Sequence, residues 1–138
     1  MSSDREVFAD TAGFLALINR LDSLHDRAVA VQAELDSTGA RVITSDWVLT
    51  ELLSGSAGRR LRPAAIELVR RCAASPRYTV LAANRGQWRR AFEFMSSRPD
   101  KEWSLIDCHS ILACHDRGIQ RVFTHDRHFR QAGLRVLL

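Results

Sequence analysis

The sequence predicts an α/β protein whose mostly parallel sheet is covered by helices on both faces. Three observations carry that prediction. The 138 residues amount to one ordinary domain. Hydrophobic residues at 46% and charged residues at 26% match soluble globular chains. Short apolar runs alternate along the chain with segments of helical period. The same composition excludes disorder, collagen and coiled coil. No apolar run approaches the roughly 18 residues of a membrane helix. Asp4, Arg5 and Glu6 stand where a signal peptide needs an apolar stretch, so the expected location is the cytoplasm. Cys72, Cys108 and Cys114, an odd number, read as small core thiols rather than a disulfide framework.

The elements follow in order. A first strand ends with Val7, Phe8 and Ala9, and Phe14, Leu17, Ile18 and Leu21 have helical spacing. His25 to Ser37 forms a second helix with Gly39 after its end. Arg41 to Thr44 is a strand. Asp46 is placed to cap a helix through Trp47, Val48, Leu49, Leu52 and Leu53. Ser54 to Gly58 reads as a loop within a single domain spanning 1–138, because neither side could form its own core. Pro63 suits the first turn of a helix reaching Ala74, and Tyr78 to Leu81 is a strand. Asn84 caps a helix to Met95, and Pro99 closes it. Ser104 to Arg117 is a strongly patterned helix ending at Gly118. Arg121 to Thr124 is a strand, Asp126 to Gln131 a short helix, and Leu134 to Leu138 a last strand. No repeat of structural length occurs.

Charge is unevenly spread. The chain has 19 Arg and one Lys, Lys101, and a net charge of +4. From Arg59 to Arg98, ten arginines face two glutamates, a net +8, while the remainder nets −4. Arginine's planar fork pairs bidentately with phosphate, so this stretch is a candidate nucleic-acid face. A solvated helix face in an arginine-rich protein has the same composition.

Ligands of open parallel sheets bind beyond the carboxyl ends of the strands. Asp10 and Asp126 stand there, directly after predicted strands, though either also suits a helix N-cap. Glu51 falls on the apolar side of its helical wheel, between Trp47 and Val48, where an ionised carboxylate needs a partner or a metal. Asp107 falls between Ile111 and Cys114, and Ser104-Leu105-Ile106-Asp107 also fits a capping box, a role compatible with binding metal. Four carboxylates gathered at one edge repel unless a cation neutralises them. Oxygen ligands select a hard ion such as Mg²⁺. Acid cluster plus basic stretch points to metal-assisted phosphodiester chemistry, with arginine pairs as the competing sink for the charge.

Other constellations fail. Cys108-His109 and Cys114-His115 lie on one helix, with Cys108 and His115 about 10.5 Å apart along its axis, too far for one zinc ion to bind both pairs. Ala12 breaks a DxD phosphatase pattern, Lys101 follows no late strand as a receiver domain requires, and no glycine-rich phosphate loop or nucleophile elbow is present. His125 and His128 flank Asp126 and are placed either to touch substrate or to be incidental surface residues.

With these residues in view, the chain resembles the PIN-domain ribonucleases, specifically the VapC-type toxins of bacterial type II toxin–antitoxin systems. The match runs through Asp10-Thr11, Glu51, the segment Asp100 to Cys108, Arg117-Gly118-Ile119, and Phe123 to Phe129 with its Thr124-x-Asp126 element. It departs from the common pattern at Ala12 and Ile106, each of which replaces a polar residue but no carboxylate. The resemblance implies a three-layer α/β/α sandwich with a mostly parallel five-stranded sheet. It implies an endoribonuclease using Mg²⁺ or Mn²⁺, with Asp10, Glu51, Asp107 and Asp126 as metal-holding catalytic residues that activate water against phosphorus. Thr11 or Thr124 would orient a ligand, and arginines 59–98 would hold the RNA backbone. Structured tRNA or rRNA is the implied substrate, a VapB-type antitoxin the implied partner, and a homodimer the implied assembly. Asp100 is either an accessory acid or a partner of Arg98. The alternatives are a catalytically inert PIN-like module that binds RNA or protein, and a PIN nuclease of ordinary RNA maturation.

Overall fold

The computed structural model describes residues 5–138; Asp4, part of the polar start read above, lies outside them. Five strands form one sheet in the order β3-β2-β1-β4-β5, every neighbouring pair parallel. They are β1 (Glu6–Ala9), β2 (Arg41–Ser45), β3 (Tyr78–Leu81), β4 (Arg121–Phe123) and β5 (Arg135–Val136). The helices are α1 (Thr11–Ile18), α2 (His25–Thr38), α3 (Asp46–Gly55), α4 (Arg62–Ala74), α5 (Arg85–Ser97), α6 (Leu105–Arg117) and α7 (Arg127–Gln131). Val7, Phe8 and Ala9 of central β1 are fully buried, as a parallel strand covered on both faces requires. The last predicted strand is shorter than expected: only Arg135 and Val136 pair, with Arg121 and Val122.

Local signals explain most boundaries. Gly39 and Gly118 end α2 and α6 with φ of 72° and 69°, the left-handed turn that glycine adopts without a Cβ penalty. Asn84 caps α5 through Gln87 N–H. The expected Asp46 cap of α3 is corrected. Ser45 Oγ accepts the Val48 N–H at 3.1 Å, and Asp46, one residue inside, accepts the Ala83 N–H instead. β2 extends by one residue as a result.

After β1 the chain builds outward on one side through β2 and β3, then returns to add β4 and β5 on the other. The crevice beyond the carboxyl ends of β1 and β4 is therefore the switch point where such sheets bind ligands. Gly13 lets α1 press against this edge. A Cβ there would lie 2.1 Å from the Phe123 carbonyl oxygen.

Candidate functional site

Asp10 leaves β1 at the position of a helix cap, but its side chain caps nothing. Instead Oδ2 accepts the Thr124 hydroxyl at 2.9 Å. Asp10 is only 4% exposed. Burial pushes its pKa up to about 7, the charges of Asp107 and Glu51 add to the rise, and the bonds from Thr124 and from the Thr11 N–H oppose it. The cap reading of Asp10 is thus overturned, whereas that of Asp126 stands: its Oδ1 accepts the His128 N–H at 2.9 Å and opens α7.

Thr124 is the hinge of the arrangement. Its hydroxyl donates to Asp10 and accepts the Asp126 N–H at 3.1 Å, so one fully buried oxygen sets the positions of two acids. That is what threonine two residues before an aspartate does here. The Thr11 hydroxyl turns away, toward the Val48 carbonyl at 3.5 Å.

Asp107 forms the capping box that its spacing predicts. It accepts the Ser104 N–H and donates its own N–H to Ser104 Oγ, both at 3.0 Å. The same Oδ2 meets His128 Nδ1 at 3.0 Å, and His128 Nδ1 lies 3.4 Å from Asp126 Oδ1. Asp107, Asp126 and His128 can each offer a ligand atom, all within 4.8 Å of one another. His128 is no incidental surface residue, because the turn capped by Asp126 swings its ring back onto α6, next to the acids. His125 is exposed.

Glu51 requires a different correction. α3 buries Val48, Leu49 and Leu52, and Glu51 is exposed at the margin of that face. It is close enough to raise the pKa of Asp10, but it is absent from the compact ligand cluster. Asp100 pairs with Arg98 through two 3.0 Å bonds, which also hold its carboxyl below the usual range.

The competing sink for acidic charge operates elsewhere. Arg90 pairs with Asp116, Arg98 with Asp100 and Arg117 with Glu6. Arg77 spans the carbonyls of Leu35, Asp36 and Ala40 at the end of α2. Among the described residues, Asp107 and Asp126 contact the His128 ring and pair with no arginine or lysine. Carboxylates left together without guanidinium partners, beside a buried acid that resists ionisation, fit a divalent cation.

Comparison with known proteins bears on the whole chain. The PIN domain family model matches residues 7–134. The 23S rRNA-specific endonuclease VapC20 of Mycobacterium tuberculosis is 30% identical over 130 residues, covering 92% of this chain and 94% of that protein. The crystal structure of VapC20, described as a sarcin–ricin loop cleaving toxin, superposes with a TM-score of 0.81 at 26% identity, covering 93% and 95% of the two chains. FitAcB from Neisseria gonorrhoeae shares the fold, with a TM-score of 0.63 at 19% identity over 94% and 95%. The chain belongs to the PIN-domain family.

Proposed function

We propose that the chain, acting as one domain in the cytoplasm, is a Mg²⁺- or Mn²⁺-dependent endoribonuclease toxin that hydrolyses phosphodiester bonds in structured RNA and is neutralised by a VapB-type antitoxin. The observation that carries this reading is the arginine-free cluster of Asp107, Asp126 and His128, tied through Thr124 to buried Asp10 at the switch point of the sheet. The similarity to a 23S rRNA endonuclease makes ribosomal RNA, rather than tRNA, the first substrate to test.

Asp107, Asp126 and His128 would hold the cation, with Asp10 behind them and Glu51 at the open margin. When bound, the ion supplies the Lewis acidity that activates water and offsets phosphate charge. The residues of the chain do the rest. Thr124 fixes Asp10 and Asp126 relative to each other, and the contact to Asp107 sets the orientation of the His128 ring. Exposed arginines hold phosphates and position the strand without reading its sequence.

Two surfaces support the finer partners. Leu21, 78% exposed, stands beside Arg20 and a groove of about 410 Å³ lined by Leu17, Ile18, Leu68 and Arg71, suited to an amphipathic antitoxin segment. Phe92 and Met95, exposed three residues apart on α5, offer a strip for a second copy. The test is incubation of total RNA with the purified chain and Mg²⁺ or Mn²⁺. Discrete fragments that vanish with EDTA and with Asp10→Asn are expected. Intact RNA under every condition would return the chain to the inert binding module.

A further inference from the structure

A second cleft opens where α3, α5 and α6 meet. Asn84 and Arg85 begin α5 directly after β3, and so lie at the same carboxyl edge of the sheet as Asp10 and Asp126. An open groove of about 370 Å³ is walled there by Trp47 and Trp88, with Asn84 and Arg85 at its rim. A cleft of about 290 Å³ adjoins it, sharing Asn84 and adding Gln87 and His109. Between them a void of about 20 Å³ is bounded by Trp47, Trp88 and His109.

Two polar atoms in this region are buried with no hydrogen-bond partner, Trp47 Nε1 and His109 Nδ1. Their rings meet edge to face at 6.3 Å. His109 is only 5% exposed. Buried polar groups are almost always paired, so these two sealed atoms mark the floor of the cleft as a place for a bound water. The void alone holds one water, but the spaces on either side are large enough for a flat heterocycle. The exposed Arg85 guanidinium lies over the Trp88 ring, 4.7 Å from its centroid, and Phe92 stacks on that ring at 5.6 Å, so a base takes the place of the guanidinium, which swings outward to the phosphate. Aromatic walls, a guanidinium and polar side chains are how proteins take an unpaired base and its phosphate.

We propose that this cleft is a base-binding subsite: an unpaired base of the RNA enters the open groove walled by Trp47 and Trp88, its polar edge meets Asn84 at the rim, and its phosphate meets Arg85. The proposal rests on the ribonuclease reading for the class of its ligand. Its test uses the full chain in EDTA, titrated with hexauridylate and hexaadenylate, with the three tryptophan indole N–H signals followed by NMR. The signals of Trp47 and Trp88 shift, whereas that of Trp103, whose Nε1 already donates to Gln131, does not. Trp88→Ala weakens binding roughly tenfold to a hundredfold, the worth of one base stack. Arg85→Ala, an exposed change that spares the fold, weakens it severalfold.

Indole signals that stay still at saturation overturn the subsite. So does a Trp88→Ala variant whose self-association changes while its RNA affinity does not, which would assign the cleft to a subunit interface. The two readings fail separately. Indole shifts in EDTA without cleavage in Mn²⁺ remove the nuclease and keep the cleft; cleavage with unmoved indoles does the reverse.

Discussion

Replacing Asp10 by Asn stabilises the metal-free protein at neutral and alkaline pH. Asp10 is buried, and its pKa rises from 3.8 to about 7 in the folded chain. Between those values the folded protein keeps a proton that the unfolded chain has released. Stability therefore falls as pH rises through this window, and the full penalty stands above about pH 7. At about 1.4 kcal/mol per pH unit, ionising Asp10 costs the fold about 4 kcal/mol at most; relaxation and water entry bring the expected gain to about 2 to 4 kcal/mol. Asparagine carries no charge and still accepts the Thr124 hydroxyl. With an unfolding entropy of about 2 cal/mol/K per residue, the gain corresponds to a Tm rise of roughly 7 to 14 °C. The assay is thermal unfolding of both proteins in EDTA from pH 4 to 8.5. The gap between them should be near zero at about pH 4 and complete above about pH 7. Added Mn²⁺ should then raise the Tm of the wild type more than that of the variant. A gap that does not change with pH, or a variant less stable than wild type at pH 8, would refute the reasoning.

Other outcomes follow from the same geometry. Gly13→Ala should cost about 2 kcal/mol or more in denaturant unfolding, because its Cβ meets the Phe123 backbone at 2.1 Å and this outweighs the roughly 1 kcal/mol helix-propensity gain; unchanged stability would show that the edge yields freely. Thr124→Val should lower Mn²⁺ affinity about tenfold to a hundredfold in calorimetry while Thr124→Ser does not, since only the hydroxyl bridges Asp10 and Asp126; equal affinities would remove Thr124 from the site. Neutralising Arg59, Arg60 and Arg62 together should reduce the salt slope of RNA binding by about 2 to 3 if all three meet phosphates. Arg60 donates to Asn19, at the end of α1 away from Asp10, so an unchanged slope would confine the RNA to the other arginines.

Much of this was legible before any coordinates, where the signal is local. The capping box at Ser104 and Asp107, the glycine ends of α2 and α6, and the span of β3 each rest on a few neighbouring residues, and each forms as read. What escaped depends on contacts across the chain. His128 meets Asp107 over a separation of 21 residues, and its only sequence trace is its place two residues after a capping aspartate. Glu51 is exposed although it lies toward the apolar side, because a helical wheel shows which side is apolar, not how far around that side the packing extends; α3 is covered only through Val48, Leu49 and Leu52. Gly13 carried a readable signal, a glycine inside a short apolar helix, but what presses on it is the end of β4. Among the arginines, composition could not separate Arg77, Arg90 and Arg98, whose guanidiniums are engaged by carbonyls or carboxylates of this chain, from the others.

Asp107, Asp126 and His128 are proposed to hold the cation of an endoribonuclease. The most direct measurement is the single-turnover rate at which the wild type, Asp107→Asn and His128→Ala cut 23S rRNA in Mn²⁺, with fragment ends sequenced and a parallel series in EDTA. We expect one discrete cut by the wild type, none in EDTA, and a rate at least about a hundredfold lower in both variants. Cleavage by Asp107→Asn at the wild-type rate, or cleavage that survives EDTA, would contradict that assignment.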